Sequence, residues 1–293
     1  MSKHEFVVPA EAAGLRLDQC LGRYVEGLSR RSARVALDLG AVFVDRRRVK
    51  VASRPMAAGQ HVAVHLGGAF ERATKKVGRA AREQDLARLP PYRVCFEDEH
   101  LVVVDKPAGL LTAPTPEGDA ASLQLLLARR SDPPAPIFVV QRLDLHTSGV
   151  LVFAKTDLAN ARLSELFRSH ALTRRYDAFA EGVAEEAFTV ALPLKGKAAV
   201  THFRRVAQYE RFCRLEATLE TGRTHQIRLH LKSRGLAVLA DLQHAGRAAW
   251  HPPRLALHAK LLSFQHPITE QALSFELPLP EDLARWLSAF QER

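Results

Sequence analysis

The segment that most restricts how this chain can fold is an apolar run that directly follows a polar turn. The run, residues 150–154, reads Val-Leu-Val-Phe-Ala, and the turn, residues 144–149, reads Asp-Leu-His-Thr-Ser-Gly. A short apolar run bounded by turn residues is typical of a buried strand. The sequence therefore predicts a buried strand with the carboxylate of Asp144 at its mouth.

The residues around this carboxylate leave its role open. Arg142 lies two positions before Asp144, so on an extended segment both side chains leave the same face. An Asp ahead of Thr-Ser-Gly is often a turn residue that accepts hydrogen bonds from backbone N–H groups. The alternative is a positioned acid or nucleophile, and the local pattern alone does not choose between the two.

Length and cysteine usage indicate the class of protein. The 293 residues are enough for one large domain and a small one, and no apolar run approaches the length of a membrane span. The N-terminus leads to no signal-peptide core. Cys20, Cys95 and Cys213 are widely separated, which predicts reduced thiols rather than a disulfide framework or a zinc site. We expect a cytoplasmic, monomeric protein without a metal.

The balance of charge indicates a polyanionic partner. The formal net charge is +10 at pH 7, and nucleic acid is the first candidate because phosphate neutralisation supplies most non-specific affinity. Basic residues concentrate between positions 29 and 50, where a helix and a turn would present one basic surface. The candidate RNA contacts in this region are Arg30, Arg31, Arg34, Arg46 and Arg47.

Composition divides the chain into four segments. They are an N-terminal arm (1–13), a small α/β domain (14–66), a linker with alternating charges between Gly-Gly and Pro-Pro (67–90) and a large domain (91–293).

The small domain has clear helix signals. An apolar face starts at Leu15, and a second helix has Ser29 as its N-cap and Gly40 just after its end. Strands are predicted at 41–44 and 61–66. At the turn Asp45-Arg46, Arg disfavours positive φ, so we expect a hairpin longer than a two-residue type I′ turn.

This order is similar to the S4 RNA-binding domain. The similarity rests on Arg16-Leu17-Asp18, on Ser29-Arg30 at the start of the second helix and on residues 40–44, Gly-Ala-Val-Phe-Val. An S4-like domain implies an RNA-binding surface on the second helix and the following turn.

In the large domain, several short strands follow one another without intervening helices. This predicts an α+β fold with a mixed, largely antiparallel central sheet flanked by helices and loops. The predicted strands are 101–105, 150–154, 176–180, 188–192, 201–207, 213–219 and 255–258, and the predicted helices are 122–128, 157–167, 225–233 and 281–290. No GxGxxG or P-loop sequence is present, so we expect no nucleotide cofactor.

Two further segments carry candidate side chains. Tyr176 begins a predicted strand beside basic residues, where it serves either core packing or base stacking. In the segment 221–230, Arg223, Gln226 and His230 are spaced to share one helical face. His225 and His230 are five positions apart and point in different directions, which argues against a metal site.

Three ordered motifs resemble the RluA-type pseudouridine synthases. They are Arg-Leu-Asp-x-x-Thr-Ser-Gly at 142–149, the Tyr176 segment, and Gly-Arg-Thr-His-Gln-Ile-Arg-x-His at 222–230, and further matches extend the resemblance over about residues 96–267. By this resemblance, Asp144 is the catalytic carboxylate, Tyr176 the active-site Tyr and Arg228 the partner of Asp144. An Arg partner would keep the carboxylate ionised and oriented.

The chain departs from the family pattern in two places. Gln141 stands where the family usually has a His, and a neutral amide does not titrate near neutral pH as imidazole does. Later the family often has Gly-Asp with a Tyr-Gly further on, where this chain has Ala240-Asp241 and then His244-Ala245-Gly246.

The resemblance implies an RNA isomerase that needs no cofactor. Such an enzyme breaks the glycosidic bond of a flipped uridine, turns the uracil and rejoins it through C5. The implied partner is RNA, with large-subunit ribosomal RNA favoured over transfer RNA, and the candidate RNA contacts near the carboxylate are Arg142, Arg223, His225 and Gln226. Two other classes stay open, a non-catalytic RNA-binding or ribosome-assembly protein and an RNA or nucleoside glycosidase that releases free base.

Overall fold

The computed structural model describes residues 2–70, 73, 89–114, 122–244 and 252–291. The chain forms two compact units, Met1–Ala87 and Arg88–Arg293. Most of the predicted linker 67–90 lies outside the described residues. None of the helices in the described ranges is both long and apolar enough to cross a membrane.

The N-terminal unit combines two helices with a small antiparallel sheet. Its elements are β1 (Ser2–Val7), a 3-10 turn (Ala10–Ala12), α1 (Leu17–Tyr24), α2 (Arg30–Asp38), β2 (Val42–Val44), β3 (Arg47–Arg48) and β4 (His61–Leu66). The strand order is β1-β4-β2-β3. Side chains from both helices and from the sheet bury one apolar core, which explains the periodic Leu and Val positions of this segment.

Residues placed in an N-terminal arm belong to this sheet. β1 pairs antiparallel with β4 along its whole length, from Ser2 opposite Leu66 to Val7 opposite His61. The pairing joins segments about sixty positions apart, so the local sequence does not reveal it.

The hairpin between β2 and β3 corrects a prediction. Val44 pairs with Arg47, so Asp45 and Arg46 form a two-residue loop with φ of 50° and 62°. Two positive φ values are what a type I′ turn requires, and the expected longer hairpin is wrong. The Asp45 carboxylate accepts hydrogen bonds from the backbone N of His61 and from a neighbouring amide, which ties the turn to β4 and offsets the strain at Arg46.

The C-terminal unit is built on one large sheet. Its strands are β5 (Arg93–Glu97), β6 (Leu101–Lys106), β7 (Phe138–Val139), β8 (Ser148–Ala154), β9 (Thr173–Glu181), β10 (Ala187–Val190), β11 (Thr201–Gln208), β12 (Phe212–Leu219), β13 (Leu257–Gln265) and β14 (Ala272–Glu276). Its helices are α3 (Leu123–Ala128), α4 (Asp157–Arg168), α5 (Gln226–Ser233) and α6 (Glu281–Gln291).

The strand order confirms a mixed, largely antiparallel sheet. The order is β10-β11-β12-β9-β13-β8-β6-β5, with β14 paired to β13 and β7 paired to β8. Among the described strand pairs, β8–β13 is parallel and the others are antiparallel. β13 is longer than the predicted strand 255–258. β5 and β14 were not predicted, because neither has the continuous apolar run of a central strand.

The apolar run from which the fold was first inferred is the buried strand β8. It is buried at every position and lies between β6 and β13. Gly149, at its start, has φ of 123°, and a Cβ there would lie 2.2 Å from the carbonyl oxygen of Ala259. The close approach of β8 to β13 therefore requires glycine at this position, and it fixes where the loop containing Asp144 enters the sheet.

Candidate active site

The loop that carries Asp144 is held in place by the end of β6 and the turn that follows it. Lys106 is fully buried, and its Nζ donates hydrogen bonds to the backbone carbonyls of Leu110 at 2.8 Å and Leu145 at 3.4 Å. The backbone N of Gly109 donates to the same Leu145 carbonyl at 2.8 Å. Burial lowers the pKa of Lys106 to about 7, against an opposing contribution from Asp144. The turn after β6, which the sequence predicted as a plain strand exit, therefore also positions Leu145, the residue that follows Asp144.

Successive side chains of this loop alternate between the cleft and the apolar core. Arg142 is exposed, Leu143 is buried and Asp144 is partly exposed. Leu143 is fixed by Thr112, whose hydroxyl donates to the Leu143 carbonyl at 2.9 Å and accepts from its backbone N at 3.2 Å. Arg142 and Asp144 line the same cavity, as expected for residues two positions apart on an extended segment. Gln141 is partly buried at the start of the loop.

Arg228 connects two carboxylates in one chain of ion pairs. Its Nη1 donates to Oδ2 of Asp144 at 2.8 Å, while Nε and Nη2 donate to the two oxygens of Asp241 at 2.7 Å each. Nη2 also donates to the side-chain oxygen of Gln243 at 3.2 Å. This geometry brings the predicted pair Asp144 and Arg228 together, and it adds Asp241 as the group that orients the guanidinium.

Burial and charge have opposite effects on the pKa values of the groups in this chain of ion pairs. Burial alone would raise the pKa of Asp241, but the hydrogen bonds and charge of Arg228 lower it below the ordinary value. Burial would likewise lower the pKa of Arg228, and its bonds to Asp241 and Asp144 raise it instead. Both members stay ionised, so Arg228 presents a fixed cation to Asp144.

Tyr176 lies on β9, with its side chain on the cavity side of the sheet. It lines the same cavity as Asp144 and Arg228 and is 8% exposed. Burial, with a smaller contribution from Asp144, raises the pKa of its phenol. The ring is thus a neutral aromatic surface beside the carboxylate.

Gln226, predicted to contact RNA, is buried at the start of α5 and its amide is used inside the protein. Its Oε1 accepts from the hydroxyl of Thr221 at 2.8 Å and from the backbone N of Arg223 at 2.9 Å. Its Nε2 donates to the Val200 carbonyl and the Thr201 hydroxyl. These bonds shape the turn that leads into α5, so the observed contacts of Gln226 are structural.

His225 is the N-cap residue of α5 and adopts a left-handed conformation, with φ of 56°. Its Nε2 lies 3.8 Å from Oδ2 of Asp144, and its Nδ1 lies 3.1 Å from Nε2 of His244. Burial lowers the pKa of His225, and the cation Arg228 adds to the lowering against the attraction of Asp144. The imidazole is therefore neutral at pH 7.

Asp144, His225, Arg228 and Asp241 border a cleft of about 700 Å³. The first three also line a smaller, adjoining cavity, which Tyr176 borders as well. Arg142 and Arg223 border the smaller cavity, and Nε of Arg223 donates to the carbonyl of Ala198 at 2.9 Å. The part of the molecule that the structure describes contains no group of three His, Cys, Asp or Glu side chains placed to hold a metal ion.

The basic residues predicted in the N-terminal unit lie on α2 and the β2–β3 hairpin. Arg30 and Arg34 are exposed, and both pair with the fully buried carboxylate of Asp18, at 3.8 and 3.0 Å. Arg46 and Arg47 are exposed in the hairpin. The side chain of Arg31 lies outside the described set.

Sequence reasoning missed two members of the C-terminal site. Asp241 follows a segment that departs from the family pattern, and its only signal was the Asp of the family's Gly-Asp pair. Lys106 was interpreted as part of a strand-exit turn. Its burial depends on the packing of the Asp144 loop over it, which no local pattern shows.

The chemistry available here is that of a carboxylate oriented by an arginine, beside an aromatic ring and an imidazole. Oδ2 of Asp144 accepts a hydrogen bond from Arg228, and the residue lines a cleft of about 700 Å³, which has room for a nucleobase. Such a site can act on a substrate atom as a nucleophile or as a base.

Comparisons with known proteins identify relatives of this chain. Residues 100–233 match the RNA pseudouridylate synthase family. A "Ribosomal large subunit pseudouridine synthase D" of Nitrosomonas europaea is 33% identical over 98% of this chain and 88% of its own. The protein of the same name from Pseudomonas aeruginosa is 32% identical over 97% of this chain and 95% of its own.

A solved structure shares the fold. "Human RNA Pseudouridylate Synthase Domain Containing 4" superposes with a TM-score of 0.58 at 22% identity, over 74% of this chain and 98% of that one. The similarity to the two bacterial relatives extends over nearly the full length of this chain, and it confirms the resemblance found in its motifs. The chain belongs to the RNA pseudouridylate synthase family.

Proposed function

We propose that this enzyme converts uridine to pseudouridine in large-subunit ribosomal RNA. The observation that carries the proposal is the chain of ion pairs from Asp144 through Arg228 to Asp241, which meets Tyr176 in one cavity. The names of the Nitrosomonas and Pseudomonas relatives support ribosomal RNA of the large subunit as the substrate. The site of action that follows is the cytoplasm, where bacterial ribosomes are assembled.

Asp144 is the proposed catalytic carboxylate. Either attack at C1′ of the ribose or proton abstraction at C2′ needs an ionised carboxylate with a fixed direction, and Arg228 supports both needs at 2.8 Å. The reaction is an isomerisation, so its atoms balance without a cofactor. Tyr176 offers the extruded uracil a stacking surface, worth about 1–3 kcal/mol. Arg142 and Arg223 are the proposed contacts to the RNA around the target.

The N-terminal unit is the proposed second RNA-binding surface, of the S4-like kind. Exposed Arg30 and Arg34 on α2 and exposed Arg46 and Arg47 in the hairpin support this role. The buried carboxylate of Asp18 holds the first two in place, which lowers the entropy lost when they contact phosphate.

The test compares pseudouridine maps of RNA from cells with and without this protein. We expect one or more uridines of large-subunit ribosomal RNA to lose the modification, and the wild-type gene but not Asp144→Asn to restore it. Purified Asp144→Asn should bind the ribosomal RNA with wild-type affinity. Loss confined to transfer RNA would overturn the substrate assignment, and free uracil among the products would indicate a glycosidase instead.

A further inference from the structure

Pseudouridine formation moves one proton from C5 to N1 of the uracil, and the groups assigned so far do not account for it. The C1′–N1 bond breaks with its electron pair on N1, a C5–C1′ bond forms, and loss of the C5 proton restores the ring double bond. Asp144 acts at the ribose, and Arg228 is a permanent cation. The inference below rests on the proposed function, because it concerns the same reaction.

His225 lies where such a proton acceptor is needed. It borders both parts of the cleft, and its Nε2 lies 3.8 Å from Oδ2 of Asp144. A group beside the carboxylate that acts at the ribose is also beside the base that is joined to C1′. The 3.8 Å separation is too long for a hydrogen bond, so Nε2 is not committed to Asp144.

The second nitrogen of His225 has a partner that can carry a proton onward. Its Nδ1 lies 3.1 Å from Nε2 of His244, with the two rings at 68° to each other. An imidazole can accept a proton at one nitrogen while it releases another from the opposite nitrogen. A second imidazole at hydrogen-bond distance makes this exchange possible without leaving a charge beside Arg228.

The backbone of His225 supports a functional role. Its left-handed conformation is uncommon for residues other than glycine, although His, like Asn and Asp, adopts it more often than most, and it costs on the order of 1 kcal/mol. The buried amide of Gln226 holds the turn in this shape through four hydrogen bonds. An ordinary N-cap side chain accepts a hydrogen bond from the first turn of its helix, whereas the imidazole of His225 makes no such bond and borders the cleft instead.

We propose that His225 accepts the C5 proton of the target uracil at Nε2 while its Nδ1 proton passes to Nε2 of His244. The C5–H electron pair returns to the ring, the Nδ1 proton of His244 goes to water, and water supplies the proton that N1 gains. The net reaction consumes no proton and needs no co-reactant.

The charged and titratable groups around His225 favour the neutral form that accepts a proton. Burial is the largest influence and lowers the pKa of His225; Asp144 raises it, Arg228 and His244 lower it, Asp241 raises it, and the pKa is lowered overall. The phenol of Tyr176, whose pKa is raised, is a poorer acceptor at pH 7. His146 also borders the cleft, but it is exposed and serves as the comparison residue.

The test uses full-length protein with in vitro transcripts of bacterial large-subunit ribosomal RNA under single-turnover conditions. One transcript carries uridine with tritium at C5, so tritium released to water reports the C5 step. The other carries 5-fluorouridine, which has no C5 proton to lose. His225→Asn is the variant of choice, because Asn tolerates the left-handed conformation.

We expect His225→Asn to release tritium about 100-fold more slowly than wild type, the lower limit for loss of a general base. On 5-fluorouridine RNA, its rate of breaking the N-glycosidic bond should stay within threefold of wild type. The wild-type rate should fall as pH drops through the pKa of His225, below 6.5, and His225→Asn should lack this fall. His244→Leu, which removes the second imidazole and with it the onward proton path, should release tritium at an intermediate rate.

Several outcomes would overturn the inference. Equal slowing of His225→Asn on both transcripts would show a structural role, and unchanged tritium release would show no role. An acid limb that disappears in His146→Gln and persists in His225→Asn would reassign the proton to His146. Failure of the wild-type enzyme to form pseudouridine in any ribosomal transcript would instead overturn the proposed function.

Discussion

Replacing Asp241 by Asn should separate the stability of the site from its activity. The carboxylate of Asp241 is almost fully buried and accepts two 2.7 Å hydrogen bonds from Arg228. Asn keeps one acceptor oxygen, but its amide N–H₂ group then faces a guanidinium N–H, so one charge-assisted bond is lost. Breaking a buried ion pair costs about 3–5 kcal/mol. Since Asp144 still pairs with Arg228, we expect the lower end, about 3 kcal/mol.

The matched control is Asp177→Asn. Asp177 is also buried and also accepts two hydrogen bonds from one guanidinium, that of Arg214, at 3.2 and 2.8 Å. It follows Tyr176 on β9, so its side chain points to the other face of the sheet. We expect a loss of about 2 kcal/mol of stability, because the bonds are longer and Arg214 is more exposed.

The two variants should differ in catalysis. Without Asp241, the guanidinium is free to turn, and a carboxylate misplaced by about 1 Å costs roughly 100-fold in rate. We therefore expect kcat of Asp241→Asn to fall about 100-fold with little change in KM, while Asp177→Asn retains wild-type kcat. Urea unfolding and pseudouridine formation on ribosomal RNA measure the two effects. If both variants kept kcat within threefold of wild type, Asp241 would not orient the site.

The difference in stability between wild type and Asp241→Asn should depend on pH in a way that tests the ion pair between Asp241 and Arg228. Arg228 lowers the pKa of Asp241 in the folded protein below the ordinary 3.8. A lowered carboxyl pKa contributes stability above the unfolded value, and this contribution is lost as pH falls through the folded value. The gap in unfolding free energy between wild type and Asp241→Asn should therefore be constant from pH 5 to 8 and narrow only in acid below about pH 4.

Three further predictions concern single positions. Tyr176→Phe should retain RNA affinity and most activity, whereas Tyr176→Ala should weaken binding of the target RNA by about 1–3 kcal/mol in a filter-binding assay, because the stacking surface is lost. The pKa of Lys106 is about 7 in the folded protein, against an ordinary 10.5. Between these pH values, Lys106 is protonated in the unfolded state and mainly neutral in the folded state. The stability of wild type should thus rise relative to Lys106→Met between pH 7 and 10 in urea unfolding, and parallel curves would contradict the buried, depressed lysine. Gly149→Ala should destabilise by more than about 4 kcal/mol in thermal unfolding, since its Cβ would meet the Ala259 backbone, and a near-neutral effect would mean that β8 and β13 separate easily.

How much the sequence predicted depended on whether the signal was local. β8 was predicted from its apolar run, and Ser29 caps α2 as expected, because both features depend on adjacent residues. β1 was missed because its pairing partner β4 is distant in the chain. The hairpin at Asp45-Arg46 was mispredicted because its strained φ values are supported by hydrogen bonds from β4 that local propensity ignores.

The candidate site shows the same difference between features that depend on adjacent residues and features that depend on distant ones. Asp144, Tyr176 and Arg228 were found through short motifs and their resemblance to a family. Their distances could not be predicted, because they come from three separate segments that only the large sheet brings together. Gln226 shows the reverse case. It was predicted to contact RNA because it is a polar residue in a recognised motif. In the structure it is buried, and its side chain makes four hydrogen bonds within the protein.

The chain of ion pairs in the cavity also has a consequence for what can enter it. One guanidinium, that of Arg228, stands between the carboxylates of Asp144 and Asp241, so the cluster carries a net charge of −1 inside a protein whose formal charge is +10. A phosphate is attracted to Arg142 and Arg223 and is repelled by the carboxylates of Asp144 and Asp241. An uncharged nucleobase meets no such barrier. The sign of the charge thus treats the two parts of a nucleotide differently, because the phosphate is drawn to the arginines and the uncharged base is not repelled from the carboxylates.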